Sequence, residues 1–209
     1  MSKPSNGKPV LVIACGALAK EILLLIDKLG LQDRMELTCL PADYHNRPAK
    51  IIPGLQEKLQ ANLQHYQRLF IGYGDCGTGG LLDKWIEEKR QEGINISRIE
   101  GVHCYEFYAG HNEFNALQEK ALGSFYLTDY LVRFFERLII QGLKLDKYPQ
   151  LMQDIFGNYT DLVYLAQTDD DELNRMAEQA AKRLGLTYSR IYTGYGGLAD
   201  SLANIKEMA

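Results

Sequence analysis

Residues 8–30, KPVLVIACGALAKEILLLIDKLG, decide how the rest of the chain is read. The first part is a short, almost wholly apolar and β-branched run that stops at Gly16. The second has apolar residues at helical spacing and stops at Gly30, so the stretch predicts a buried strand followed by a helix. The unit then repeats. MELTCLP (35–41) predicts a second strand ended by Pro41, DYHNRP (43–48) a loop, and GLQEKLQANLQ (54–64) a helix. YQRLFIGYG (66–74) predicts a third strand, TGGLLDKWIEEKRQEG a third helix, and ISRIEGVHCYEF (96–107) a fourth strand running into an aromatic loop.

From about 111 to 158 the pattern is long and helical, with FYLTDYLVRFFERLIIQGL (125–143) its most amphipathic piece. DLVYLAQ (161–167) restores a strand, the acid-led DDDELNRMAEQAAKRLG a helix suited to its own N-terminal dipole, and LTYSRIYTG a last strand. Strands alternating with helices imply right-handed crossovers. The expectation is an α/β fold: a mainly parallel, Rossmann-like sheet with helices on both faces in three layers, and a long helical insertion before the last two strands. One domain over 9–209 and an N-terminal tail over 1–8 complete it.

With 209 residues, 46% of them hydrophobic, the chain has enough material for a proper core. A net charge of -4 and the lack of a Lys/Arg cluster argue against nucleic acid or an anionic membrane surface as a partner. MSKPSNGKP lacks the apolar segment of a signal peptide and runs such as ILLLI are too short to span a bilayer, so a cytoplasmic protein without disulfides is expected.

Cys15, Cys39, Cys76 and Cys104 all fall at or just after predicted strand ends, the edge where open parallel sheets bind ligands. Beside them stand His45, Asp75, His103 and Glu106, the candidate acid–base residues. Thiolates, imidazoles and a carboxylate are the ligand vocabulary of Zn²⁺, iron or an iron–sulfur cluster. Cys15, Cys76 and Cys104 are the candidate ligands, although no CxxC or HxxxH pair is present. Free cysteine is also a common core residue, and Cys39, inside an apolar strand, reads as inert. His65 reads as a solvated helix end and His111 as a helix start.

The loop GYGDCGTGG (72–80) poses a choice. Gly72, Gly74 and Gly77 match the start of a dinucleotide fingerprint, but after the third strand instead of the first, with Asp75 where it would repel a pyrophosphate and with no following Lys-Ser/Thr. A thiol suits the place better: a helix N-terminus lowers a thiolate's pKa, and glycines leave the sulfur accessible. Gly74, Gly77 and Gly79 are the candidate contacts for a bound group. Gly196, in the second glycine stretch YTGYGGLADSL (192–202), is another, either through amides that bind an anion or as an ordinary tight connection.

ACGALAKE, HNRP, GYGDCGTGG, HCYEFYAG and GSFYLTDYLVRFF together resemble the DUF1638 family of bacterial and archaeal proteins. That resemblance implies a setting beside corrinoid-dependent methyltransferases, in one-carbon, methylamine or thiol metabolism, and defines no reaction. Its motifs fall on Cys15, His45, Asn46, Cys76, His103, Cys104 and Glu106; Cys39 lies outside them. Three functions compete. The first is a metalloenzyme whose open coordination site activates a small substrate. The second is a metal-free enzyme with Cys76 as nucleophile, His45 or His103 as base and loop amides stabilising an anion. The third is a non-enzymatic accessory protein of a corrinoid methyltransferase. The aromatic stripe Phe125, Tyr126, Tyr130, Phe134 and Phe135 would then meet a partner, although such stripes are more commonly core or a homodimer face.

Overall fold

The computed structural model describes residues 10–120 and 123–207; the tail expected over 1–8 lies outside them. The chain divides into two compact units, Met1–Cys104 with Leu198–Ala209, and Tyr105–Gly197. Each has a wholly parallel sheet flanked by helices, so the α/β class and its layering are as the alternation predicts. The strands are divided between a four-stranded and a three-stranded sheet. No helix among the described residues is long and apolar enough to cross a membrane.

The first unit runs β1 (Val10–Cys15), α1 (Ala19–Lys28), β2 (Met35–Leu40), α2 (Ile51–Asn62), β3 (Arg68–Gly72), α3 (Leu81–Gln91) and β4 (Ile96–Arg98), with lateral strand order β2-β1-β3-β4. Alternate residues of its strands serve opposite faces. Leu11, Ile13, Leu69, Ile71 and Tyr73 pack with Leu55 and Leu59 of α2 and Leu82, Trp85 and Ile86 of α3. On the other face Gly72 is pressed between Ala14 and Ile22 of α1, and a Cβ there would meet the Ala14 Cβ at 2.8 Å.

The second unit contains α4 (Cys104–Ala109, from Tyr105 onward), α5 (His111–Lys120), β5 (Ser124–Thr128), α6 (Asp129–Arg133), a π-helical turn (Glu136–Gln141), α7 (Leu151–Phe156), β6 (Asp161–Ala166), α8 (Asp171–Leu184) and β7 (Thr187–Tyr192). Its strands lie in chain order, β5-β6-β7. Leu127, Leu162, Tyr164 and Ala166 pack against Leu173, Ala177 and Ala181 of α8. Tyr126, Val163 and Leu165 pack with Ala109 and Phe114 on the opposite face. The last helix, α9 (Gly196–Glu207), begins in this unit and returns to the first.

Two expected elements differ. The stretch 125–143 is not one amphipathic helix: its start belongs to β5, because the aromatic and β-branched side chains of SFYLT gain more from pairing with β6 than from a helical face. Thr128 ends that strand and caps α6, its hydroxyl accepting the Leu131 N–H. The fourth strand covers only Ile96–Arg98, so Cys104 is not at a strand end but opens α4, with Glu106 in the first turn.

Candidate active site

In an open parallel sheet the binding crevice forms where strand order reverses, since the two chain segments leaving neighbouring strands there diverge to opposite faces. In the first unit β1 leads to β2 on one side, while β3 lies on the other, which puts the reversal between β1 and β3. Their register ends at Ala14↔Gly72, and the next residues in step, Cys15 and Tyr73, share a face and a packing cluster with Cys76. Cys15 and Cys76 therefore come together at the crevice. Cys39 pairs with Ala14 across β1 and β2, so its side chain leaves by the opposite face.

Cys76 is held with φ 47°, a left-handed conformation that an L side chain rarely adopts. The Cys76 N–H donates to Val102 O (3.0 Å), and Gly74 lies so close to that carbonyl that a Cβ would approach it to 2.8 Å. Gly77 rests on Pro48, where a Cβ would stand 3.2 Å from Cγ. Asp75 uses both oxygens inside its own loop. Oδ1 accepts the Thr78 hydroxyl (2.6 Å) and the Gly80 N–H (2.8 Å), and Oδ2 accepts the Gly79 N–H (3.0 Å). Partial burial opposes ionisation of Asp75, but these bonds and the Arg98 charge outweigh it and lower its pKa. The amides that a phosphate would need are filled by the chain's own carboxylate.

That local use also reverses an expectation about Cys76. The Gly79 and Gly80 amides ahead of α3 serve Asp75 and not the sulfur, and burial, followed by the Cys15 charge, pushes the Cys76 thiol up to about 12. Burial likewise raises Cys15, and burial with the Cys15 charge raises Cys39 to about 11. The backbone of Ala17 beside Cys15 and of Gly74 beside Cys76 works against that rise without overcoming it. The Arg98 charge also favours the Cys76 thiolate. Arg98 is itself fixed by Asp83 Oδ2 (2.9 Å) and by the carbonyls of Ile99 (2.7 Å) and Gly101 (3.0 Å), which steadies the segment leading to Val102 and His103.

Tyr73 is only 2% exposed, and its hydroxyl has no hydrogen-bond partner among the described residues. It faces the Cys15 sulfur without a bond of good geometry, and burial, then the neighbouring thiols, holds its pKa far above the usual tyrosine value. Nothing in the residue pattern singles out Tyr73, which stands between Gly72 and Gly74. His45 lies on the loop after β2 with its surface open to solvent. Surrounding atoms and then the His103 charge lower its pKa, which leaves the imidazole neutral at pH 7.

His103 and Cys104 close the first long segment of the first unit, and the candidates Glu106 and Gly196 fall in the second. Glu106 is buried and accepts from His111 Nδ1 (2.8 Å), while Asn115 Nδ2 donates to His111 Nε2 (3.0 Å). His111 is thus more than a helix start: it pairs with Glu106 across the break at Gly110 between α4 and α5, a spacing of five residues that no helical period announces. Gly196 lies against the backbone of α4, where a Cβ would come within 2.1 Å of Tyr108 O, so close approach accounts for the glycine. Among the described residues no three His, Cys, Asp or Glu side chains are grouped to hold a metal ion.

A family model described as a protein of unknown function, DUF1638, matches residues 39–202. The chain belongs to the DUF1638 family. The span shared with DUF1638 takes in His45, Tyr73, Cys76 and Glu106 and begins after Cys15, so the two crevice cysteines stand on either side of its boundary. No curated protein and no solved structure matches the chain.

Proposed function

We propose that the four-stranded unit of this DUF1638 protein is a thiol-dependent catalytic unit acting on a small molecule in the crevice between β1 and β3, with Cys15 and Cys76 as the reactive pair. The observation that carries this reading is the strand reversal between β1 and β3, which brings both sulfurs and the Tyr73 hydroxyl to one crevice. Neighbouring backbone at Ala17 and Gly74 favours the thiolates, while burial keeps the resting thiols protonated. Chemistry at this pair therefore begins with removal of a proton.

A soft metal ion, Zn or Fe, that exchanges for the thiol protons is the first means of doing so. Cys15 and Cys76 would supply two ligands. A third from Cys104 requires an arrangement other than the one described. The second means is metal-free, with a histidine as base; the neutral imidazole of His45 favours it. The resemblance to DUF1638 suggests a one-carbon or thiol compound as the substrate class. Metal analysis of protein purified without air separates the two: stoichiometric Zn or Fe that Cys15→Ser and Cys76→Ser both remove supports the first. Metal-free protein in which one of these cysteines alkylates faster than Cys39 and Cys104 supports the second. Protein with neither property sinks the thiol reading altogether.

A further inference from the structure

We infer that the crevice binds its small molecule through a carbonyl or carboxylate oxygen that accepts the Tyr73 hydroxyl between the Cys15 and Cys76 side chains; this rests on the reading of that crevice as the functional site. A buried hydroxyl without a partner costs about 1–3 kcal/mol, so one kept at a ligand-binding edge calls for a group that completes it. Tyr73 is placed for this by register: it and Cys15 are the first residues beyond the last paired rung, on one face, on neighbouring strands. Its hydroxyl is the unpartnered atom, and the ring is fixed in the core at 2% exposure.

The chemistry of the missing partner follows from what surrounds it. Tyr73 stays un-ionised at neutral pH and acts as a donor. Both thiols are held protonated by burial, so each carries an S–H hydrogen. The nearby carboxylate of Asp75 has both oxygens engaged within its loop. Tyr73 and the two thiols thus offer hydrogens, which suits an oxygen with two lone pairs. The Arg98 charge near Cys76 allows that oxygen to belong to a carboxylate as well as to a neutral carbonyl.

Two alkylating probes of different chemistry test this in the full, reduced chain, with labelling read at each cysteine by mass spectrometry. Iodoacetamide carries a carbonyl oxygen; iodoethane does not. In the wild type the iodoacetamide-to-iodoethane rate ratio at Cys15 or Cys76 should exceed that of a free thiol by about tenfold, the worth of one hydrogen bond. Tyr73→Phe should return it to the free-thiol value while leaving the iodoethane rate unchanged, whereas loosened packing would move both rates together. An unraised ratio in the wild type, which needs no variant to fold, overturns the inference. A ratio that Tyr73→Phe leaves intact does the same. If neither reagent reaches Cys15 or Cys76 even in chain freed of metal by a chelator, the crevice itself is not a site and the proposed function fails with it.

Discussion

Two buried tyrosines meet opposite fates near the carboxyl edges of the two sheets. In the three-stranded sheet Tyr164 donates to Asp129 Oδ1 (2.7 Å), which also accepts the Gln167 N–H (2.9 Å), while Asp129 Oδ2 takes the Thr168 hydroxyl (2.5 Å). Gln167 answers with its own amide, accepting the Asp129 N–H (2.8 Å) and donating to Leu165 O (2.6 Å). Each polar group in that network has a partner. In the four-stranded sheet Tyr73 is equally enclosed and has none. The difference follows strand order. Where strands succeed one another in chain order, as at β5 and β6, Asp129 and Gln167 on the segments leaving them satisfy one another. Where the order reverses, between β1 and β3, such segments part and leave groups unmatched.

The largest test of this contrast is Asp129→Ala, which strands the Tyr164, Gln167 and Thr168 donors in the interior. It should cost about 3 kcal/mol or more in urea unfolding. A loss below about 1 kcal/mol would mean that the closed edge is not what it is taken to be. Next come the tyrosines themselves. Tyr164→Phe removes a hydrogen bond to a carboxylate and should cost about 2 kcal/mol, whereas Tyr73→Phe, which removes a buried hydroxyl without a partner, should raise stability by about 1 kcal/mol or more. Equal costs for the two would erase the distinction between the edges.

The thiols sharpen the contrast through pH. Their pKa values are raised on folding, so the unfolded chain loses protons first as pH rises. Stability is fully present below the ordinary thiol pKa of 9.0 and falls from there toward the Cys76 value of about 12. Cys76→Ser should flatten this alkaline decline in Tm, and an unchanged slope would contradict the burial assigned to that sulfur.

The smallest effect is expected at Asp75. Its pKa is lowered, so its contribution is present above the usual carboxylate range and disappears as pH falls through the folded value. Asp75→Ala should cost about 1 kcal/mol at pH 7, as losing a helix cap does, and less in acid. A penalty of the same size at both pH values would show that Asp75 acts by packing instead of through its charge.

Local chemistry was legible in the sequence. The alternation of VLVIAC with a helical run, the stop at Gly30 and the acids ahead of α8 each depend on neighbours a few residues away, and Asp170 caps α8 by accepting from Glu172 and Leu173 as such acids do. The loop GYGDCGTGG was legible in part: its position argued against phosphate, but the bonds from Thr78, Gly79 and Gly80 to Asp75, all within five residues, were not foreseen. SFYLT was misread because a short apolar run fits either a helix face or a strand, and only its pairing with β6 decides between them.

By itself the sequence determined the α/β alternation, the family and the loops on which the chemistry-bearing residues stand, because these rest on contacts between near neighbours. Lateral strand order rests on contacts between residues far apart in the chain. Only the tertiary structure could therefore divide the strands into two sheets, send Cys39 to the face opposite Cys15, and leave the Tyr73 hydroxyl unanswered beside two sulfurs.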